Sequence, residues 1–364
     1  MQNYYRLSIW LIAGIVLAAN LPTMLEKTYA AITINGAGAT FPFPLIDTWR
    51  VEYQNVKPDV NINYQSIGSG GGIKQFTEKT VDFGASDAPL NEEEEKKVGG
   101  NAVHIPETIG SVAVVYNLPQ IGDSELKLSG PIISDIFLGK ITKWDDPKIK
   151  ELNPDVELPS DTILTVHRSD GSGTTFVFTE YLSNVSSQWH EQIGTGKSVQ
   201  WPVGVGAPGN EGVSGSVKST PNSIGYVELA YALTTGLNTA SIQNKEGNVI
   251  KPSLESTSAA VAASVKNLPK GTESWKGVSI VNADGADSYP IATMTYLLLY
   301  KDLSTNPTID EDKAKALIDF ISWAITDGQQ FAPDLGYVPL PEELVKLDQD
   351  TLKSITFKGN PIVQ

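Results

Sequence analysis

Cysteine is absent from this 364-residue chain, and several kinds of chemistry are absent with it. No disulfide can staple the fold, no thiolate can act as a nucleophile, and no Cys-ligated zinc or iron–sulfur cluster can form. An acylated N-terminal Cys is excluded as a lipid anchor for the same reason. Positive charge is also in deficit: 27 Lys and Arg stand against 42 Asp and Glu, a net charge of −15. Such a surface repels nucleic-acid phosphates, so no nucleic-acid partner is expected. Histidine occurs three times, as His104, His167 and His190. No metal spacing relates them, and each reads as a packing or surface residue. No period of ~20–50 residues stands out, which argues against a repeat array.

What remains is ordinary globular composition, 40% hydrophobic and 19% charged. The length suits about two domains at ~100–200 residues each. The first 30 residues differ from the rest. Arg6 precedes an apolar run from Leu7 to Leu21 broken only by Ser8 and Asn20, and Thr28-Tyr29-Ala30 offers small residues for cleavage. This reads as a secretory signal, whose apolar part is ~7–15 residues. The competing reading is an uncleaved N-terminal anchor. Either way the folded part is expected outside the cytoplasm.

The densest local signal is Val166-His167-Arg168-Ser169-Asp170-Gly171-Ser172-Gly173-Thr174-Thr175-Phe176-Val177-Phe178. A β-branched run from Ile163 to Val166 predicts a strand, the glycines a tight loop, and the following apolar spacing a helix. A helix N-terminus with hydroxyls and free N–H groups is anion-binding chemistry. Arg168 can add a guanidinium that Asp170 holds in place. The bland alternative is an ordinary strand-to-helix connection with a good N-cap. Two further stretches repeat the pattern. Ile32 to Asn35 leads through Gly36-Ala37-Gly38-Ala39-Thr40-Phe41-Pro42 into a helix carrying Leu45, Trp49 and Tyr53. Val60 to Ile67 leads through a loop Gly68-Ser69-Gly70-Gly71-Gly72 into a helix from Ile73. Thr40, Ser69, Ser172 and Thr174 thus each place a hydroxyl at a strand–loop–helix junction, where open α/β sheets bind ligands.

Elsewhere, Ala102 to Leu118 and Tyr289 to Tyr300 are long β segments that read as an outward and a return crossing between two lobes. The acidic run Glu92 to Glu95 reads as a solvated helix face. Gly204-Val205-Gly206-Ala207-Pro208-Gly209 matches a dinucleotide fingerprint, but Pro208 and the lack of a clean helix pattern after it argue against that use. Gly196-Lys197-Ser198 fails as a P-loop because Glu191 stands where the first Gly belongs. Asn184-Val185-Ser186 is a glycosylation acceptor pattern of the kind common by chance. Strand–helix alternation throughout argues an α/β architecture.

Taken together, the Gly36–Pro42, Ile67–Gly72, Val81–Pro89, Leu138–Asp146, Arg168–Thr174 and Gly225–Glu228 motifs resemble the substrate-binding proteins of phosphate-specific ABC transporters. The resemblance runs from about Ile32 to the C-terminus. It implies a two-lobed periplasmic-binding-protein (type II) fold with a ligand cleft between lobes. Lobe I would comprise residues 31–111 and 289–364, and lobe II residues 112–288. It also implies one buried inorganic phosphate held by Thr40, Phe41, Ser69, Asp87, Arg168, Ser172, Gly173 and Thr174, with Asp170 supporting Arg168. No cofactor and no metal are implied. The expected partners are inorganic phosphate and a membrane-embedded ABC permease, with the protein a monomer. Gly70 stands where many relatives carry Ser, and His167 where a basic residue is common.

Asp87 looks out of place in an anion site, and its plain reading is a turn residue before Pro89. Its functional reading is as acceptor of the proton that phosphate keeps near neutral pH and sulfate does not. Two other functions use the same cradle. A phosphate-ester hydrolase would need an activated nucleophile or a metal pair, and neither Ser69 nor Ser172 has a His or Lys placed by sequence to activate it. An adhesin or assembly protein could borrow the fold without transport.

Overall fold

A computed structural model describes residues 31–122, 124–264 and 268–362. The leader reading over residues 1–30 lies outside them. The strands are β1 (Ile32–Gly38), β2 (Val60–Ser66), β3 (Phe83–Ser86), β4 (Ala102–Asn117), β5 (Lys127–Ser129), β6 (Leu164–Arg168), β7 (Val205–Ala207), β8 (Ser223–Glu228), β9 (Asn238–Thr239), β10 (Ser241–Gln243), β11 (Val249–Ile250), β12 (Ala292–Tyr300), β13 (Thr356–Phe357) and β14 (Asn360–Pro361). One curled sheet runs β2-β1-β3-β12-β4-β8-β6-β7, with β9 added to β4. The fold is mixed α/β.

The sheet has two parallel wings joined by antiparallel pairing. β1 pairs parallel with β2 and β3, and β6 pairs parallel with β7 and β8. Between them β4 serves both wings. Its residues Ala102–Ser111 pair with β12, and Val112–Asn117 pair with β8. Every position from Val103 to Tyr116 is buried, so β4 lacks the alternation of a strand with one wet face. The expected return strand forms as β12, and the Val112 N–H donates to the Ile291 carbonyl at 2.8 Å.

Each wing sends parallel strands toward helix N-termini. β1 leads to the helix Phe43–Val56, where Pro44 occupies the first turn and needs no donor. β6 leads to the helix Gly173–Val185, capped by Ser172, whose Oγ accepts from the Thr175 N–H at 3.0 Å. The reading of Gly68–Gly72 as a loop is corrected: the helix begins at Ser69 and includes Gly70, Gly71 and Gly72. The cause is tertiary. A Cβ on Gly72 would stand 2.3 Å from the Gly38 Cα, so only glycine lets this turn lie against β1. The stretch after Pro208, which shows no clean helix pattern, also differs from expectation, for it forms the helix Gly209–Ser219. A further helix spans Leu254–Ser264.

The acidic run forms the helix Glu92–Lys97, capped by Asn91 and Glu94 in a reciprocal box. It is not wholly solvated. Glu94 reaches Lys197 at 2.8 Å, and both side chains are mostly buried. His167 stacks on Trp201 with ring centroids 4.8 Å apart, and buried His104 accepts from the Leu90 N–H. Both act in packing. Among the described residues no helix is long and apolar enough to cross a membrane.

The glycine contacts make a paired prediction. Gly72→Ala should lower stability by about 1–3 kcal/mol or more, because the added methyl meets backbone that cannot rotate away. Gly215→Ala, exposed in its helix with nothing within 4 Å of the new Cβ, should raise stability by roughly 0.5–1 kcal/mol. Urea unfolding of the two variants beside the parent checks both signs.

Candidate functional site

Five strand ends meet at one point, and helices start directly behind four of them. The turn after β1 brings Thr40 and Phe41. The helix after β2 brings Ser69 as its first residue, and the end of β3 brings Asp87. The loop after β6 brings Arg168, Asp170, Ser172, Gly173 and Thr174. All of these are buried except Asp170, which is partly exposed. The fourth strand-to-helix junction is between β7 and the helix Gly209–Ser219, and it brings Asn210.

The polar atoms interlock. The Ser69 Oγ accepts from the Gly173 N–H at 3.0 Å and from the Asp87 N–H at 3.3 Å. The Thr174 Oγ1 lies 3.4 Å from an Arg168 Nη1 donor and 3.5 Å from the Asp87 Oδ2. Asn210 joins the wings, its Nδ2 donating to the Thr40 Oγ1 at 2.8 Å and to the Thr174 Oγ1 at 3.2 Å. Its Oδ1 accepts from the Glu228 N–H at 3.0 Å. The Gly70 N–H donates to the Gly171 carbonyl at 2.8 Å, which ties the β2 and β6 junctions together. Among the described residues, no hydrogen bond takes up the N–H of Thr40, Phe41 or Thr174. Unspent donors at converging helix starts are what an oxyanion needs. Gly173 must stay glycine, since a Cβ there would lie 2.5 Å from both the Asp87 Oδ2 and the Ser69 Oγ.

Charge at this point is nearly balanced. The Arg168 side chain is 1% exposed and forks onto Asp170, Nε to Oδ1 at 2.8 Å and Nη2 to Oδ2. Burial raises the Asp170 pKa, but the hydrogen bonds and charge of Arg168 outweigh it and hold the carboxyl below its usual value. Asp170 also accepts from the Gly209 N–H at 3.1 Å. Asp87 is pushed up to about 7 by burial, against the downward pull of Thr295, Arg168, Thr174 and Ser69. Burial also raises Glu107 and Glu228 well above the ordinary carboxyl range. Among the described residues no cluster of three or more His, Asp or Glu side chains has the arrangement to hold a metal.

A model of the PBP superfamily domain matches residues 26–327. The phosphate-binding protein PstS of Pasteurella multocida is 45% identical, over 93% of this chain and 95% of its own length. The chain belongs to the PstS family. The PstS of Methanocaldococcus jannaschii is 41% identical, over 94% of this chain and 92% of its own length. Among solved structures, a phosphate-binding protein from Stenotrophomonas maltophilia matches with a TM-score of 0.68 at 20% identity, over 90% of this chain and 97% of that one. A likeness at that identity carries the fold alone, and the fold is the two-lobed α/β architecture of the superfamily.

Within this PstS-family chain, every residue named from the sequence lies at the junction of the four loops. The Ser172 hydroxyl bonds within its own helix start as the cap, whereas those of Thr40, Ser69 and Thr174 bond to other segments of the site. Four participants escaped the sequence. Asn210 directly follows the Gly204–Gly209 stretch that matches a dinucleotide fingerprint. Thr295, whose Oγ1 lies 3.0 Å from the Asp87 Oδ1, and Glu107 lie inside the long β segments. Tyr231 donates to the Thr40 carbonyl at 2.7 Å from the helix Leu229–Thr235. Only the Gly-Asn pair opening a helix after Pro208 carried any signal, and it resembles a plain turn.

Asp87 binds its proton more tightly folded than unfolded. Stability from such a group is complete below the unfolded pKa and is lost as pH rises through the folded one. The window therefore runs from 3.8 to about 7. The ligand-free protein should lose stability across it, and Asp87→Asn should remove part of that slope. The effect should be on the order of a few kcal/mol, at ~1.4 kcal/mol per pKa unit. Urea midpoints measured through the window check it, and identical slopes in both proteins would clear Asp87 as a source.

Proposed function

We propose that this chain captures inorganic phosphate outside the cytoplasm and delivers it to a membrane-embedded ABC permease, acting as a monomer without cofactor or metal. The observation that carries the reading is the composition of the four-loop junction. Unspent N–H donors and hydroxyls surround one braced guanidinium, and a single buried carboxyl, Asp87, faces them. An oxyanion that keeps a proton satisfies both kinds of group at once. Phosphate does so near neutral pH.

The direct ligands we propose are Thr40, Phe41, Ser69, Asp87, Arg168, Ser172, Gly173 and Thr174. Ser172 would act through its junction position and its cap, and Asp170 through Arg168. The proposed lobe boundaries, 31–111 with 289–364 and 112–288, are supported by the change of β4's partner from β12 to β8 after Ser111. Closure of two lobes on one ligand accounts for the bonds that join the wings at this point, including Gly70 to Gly171 and Asn210 to Thr40. The hydrolase reading is disfavoured because the Ser69 and Ser172 hydroxyls accept from backbone amides and, among the described residues, neither hydrogen-bonds a histidine or lysine side chain. Calorimetry on protein stripped of ligand, run beside an assay of phosphate release from p-nitrophenyl phosphate, tests the assignment. Tight phosphate binding without release supports a receptor, and turnover would sink it.

Two further outcomes follow from the site's charge. Arg168→Ala leaves both the ligand and Asp170 without a cation in a dry site, and losing one member of such a pair costs ~2–5 kcal/mol. Phosphate affinity should fall by at least about two orders of magnitude at ~1.4 kcal/mol per tenfold, read by calorimetry. Sulfate lacks the proton, so it can bind only when Asp87 carries one. Sulfate competition should therefore strengthen as pH falls through about 7, and Asp87→Asn should show it at every pH. Competition titrations across that range decide the matter, and pH-independent rejection of sulfate by both proteins would return Asp87 to the role of a turn residue.

A further inference from the structure

Glu107 is a buried carboxyl that the site as described does not use. It lies on β4, 0% exposed, between Pro106 and Thr108. The register between β4 and β12 shifts at this residue: Thr295 faces Thr108 and Tyr296 faces Pro106, so Glu107 has no partner of its own. That is a β-bulge, the device that re-aims a side chain, and it accommodates the mid-strand proline. The bulge is supported from outside the sheet, since the Gln329 Nε2 donates to the Glu107 carbonyl at 2.9 Å.

The re-aimed side chain ends beside Thr295. The Thr295 Oγ1 lies 3.0 Å from the Asp87 Oδ1 and 3.3 Å from the Glu107 Oε1. A hydroxyl has one proton and can donate to only one of two carboxyls. The shorter contact is to Asp87. For the longer one to be a hydrogen bond, Glu107 must be the donor, which requires it to carry a proton. Its other oxygen agrees, for the Oε2 is buried without a partner, a costly position for a charged carboxylate. The titratable groups that act on it are Asp87, by way of Thr295 on β12, and Tyr64 on β2. Among the described residues no cation pairs with it.

We infer that Glu107 is a specificity-determining positioning residue, held as a neutral acid that donates to Thr295 and thereby fixes the Thr295 hydroxyl onto Asp87. The chain of donors runs Glu107 to Thr295 to Asp87, and only the last member faces the ligand. With its Oδ1 occupied, Asp87 presents the Oδ2 as the acceptor for the ligand's proton. Glu107 and Asp87 together then carry one negative charge, not two. This inference rests on the phosphate reading of the site.

The test compares phosphate–sulfate discrimination in Glu107→Gln and Glu107→Leu. An amide keeps a donor toward Thr295 without charge, so Glu107→Gln should stay within about threefold of the parent. Glu107→Leu keeps the bulk and loses the donor, so the gap should narrow by about tenfold or more, the scale of one hydrogen bond to a charged group. Equal behaviour of the two variants would mean that Glu107 only packs, and loss of the gap in Glu107→Gln would mean that it works as a carboxylate. Either overturns the inference. If the leucine variant fails to fold, Thr295→Ser and Thr295→Val give the same comparison, with serine expected to keep the gap and valine to narrow it. Infrared difference spectra between parent and Glu107→Gln supply a readout without any ligand. The parent should show the carbonyl stretch of a protonated carboxyl at neutral pH, and its absence refutes the neutral acid. Should the parent bind no phosphate, the receptor reading fails first, and that calorimetric result is distinct from all of these.

Discussion

The fork of Arg168 onto Asp170 is the contact on which the site depends. A guanidinium 1% exposed would be intolerable alone, and Asp170 makes its burial possible while leaving Nη1 directed at Thr174. The same pairing removes most of the positive charge that the cleft could offer an anion. In a protein of net charge −15 that outcome has a clear meaning. The long-range field repels anions, and the pair is close to neutral, so attraction must come from contacts acting over one or two bond lengths, the guanidinium's own N–H donors together with fixed backbone N–H dipoles and hydroxyls. Such dipoles read shape and proton content more than charge, which is what a receptor choosing among oxyanions needs.

Those dipoles can be fixed because each belongs to the start of a helix backed by a parallel strand. β1, β2 and β6 end where the helices Phe43–Val56, Ser69–Thr77 and Gly173–Val185 begin, and close packing sets the angles. The glycines at Gly72 and Gly173 are part of this precision, since a methyl at either would strike backbone or the site's own polar atoms. The buried carboxyls add a second layer behind the first. Glu107 and Glu228 sit in surroundings that favour their neutral forms, while Asp87, raised to about 7, keeps a carboxylate within reach at neutral pH.

What could be read from the sequence follows from distance along the chain. The loops that carry Thr40, Ser69 and Arg168 to Thr174 declare themselves because strand signal, glycine and hydroxyl are adjacent. Arg168 and Asp170 could be paired on paper because two residues separate them. Asn210, Thr295 and Glu107 could not, since each reaches the site from an element whose local pattern concerns something else. Gly70 to Gly72 reads as loop because glycine is a poor helix former, and only the close approach to Gly38, invisible in the sequence, makes it part of a helix. The acidic run reads as solvated, and Glu92 and Glu93 are, whereas Glu94 and Glu95 are partly buried and Glu94 pairs with Lys197 of the other wing.

The double role of β4 has a consequence for how the molecule is made. Every residue from Val103 to Tyr116 ends up covered, and on one side the cover is β12, whose residues are synthesised long after β4. Until Ala292–Tyr300 is available, β3 and β4 both present an unpaired apolar edge, the kind of surface on which chains aggregate. Pairing so remote in sequence also slows folding, because the loop must close before the contact gives anything back. A nascent chain of this design therefore cannot complete its central sheet from the N-terminus onward. It has to be kept apart from its neighbours, by a chaperone or by passage in an extended state, until its last third has arrived.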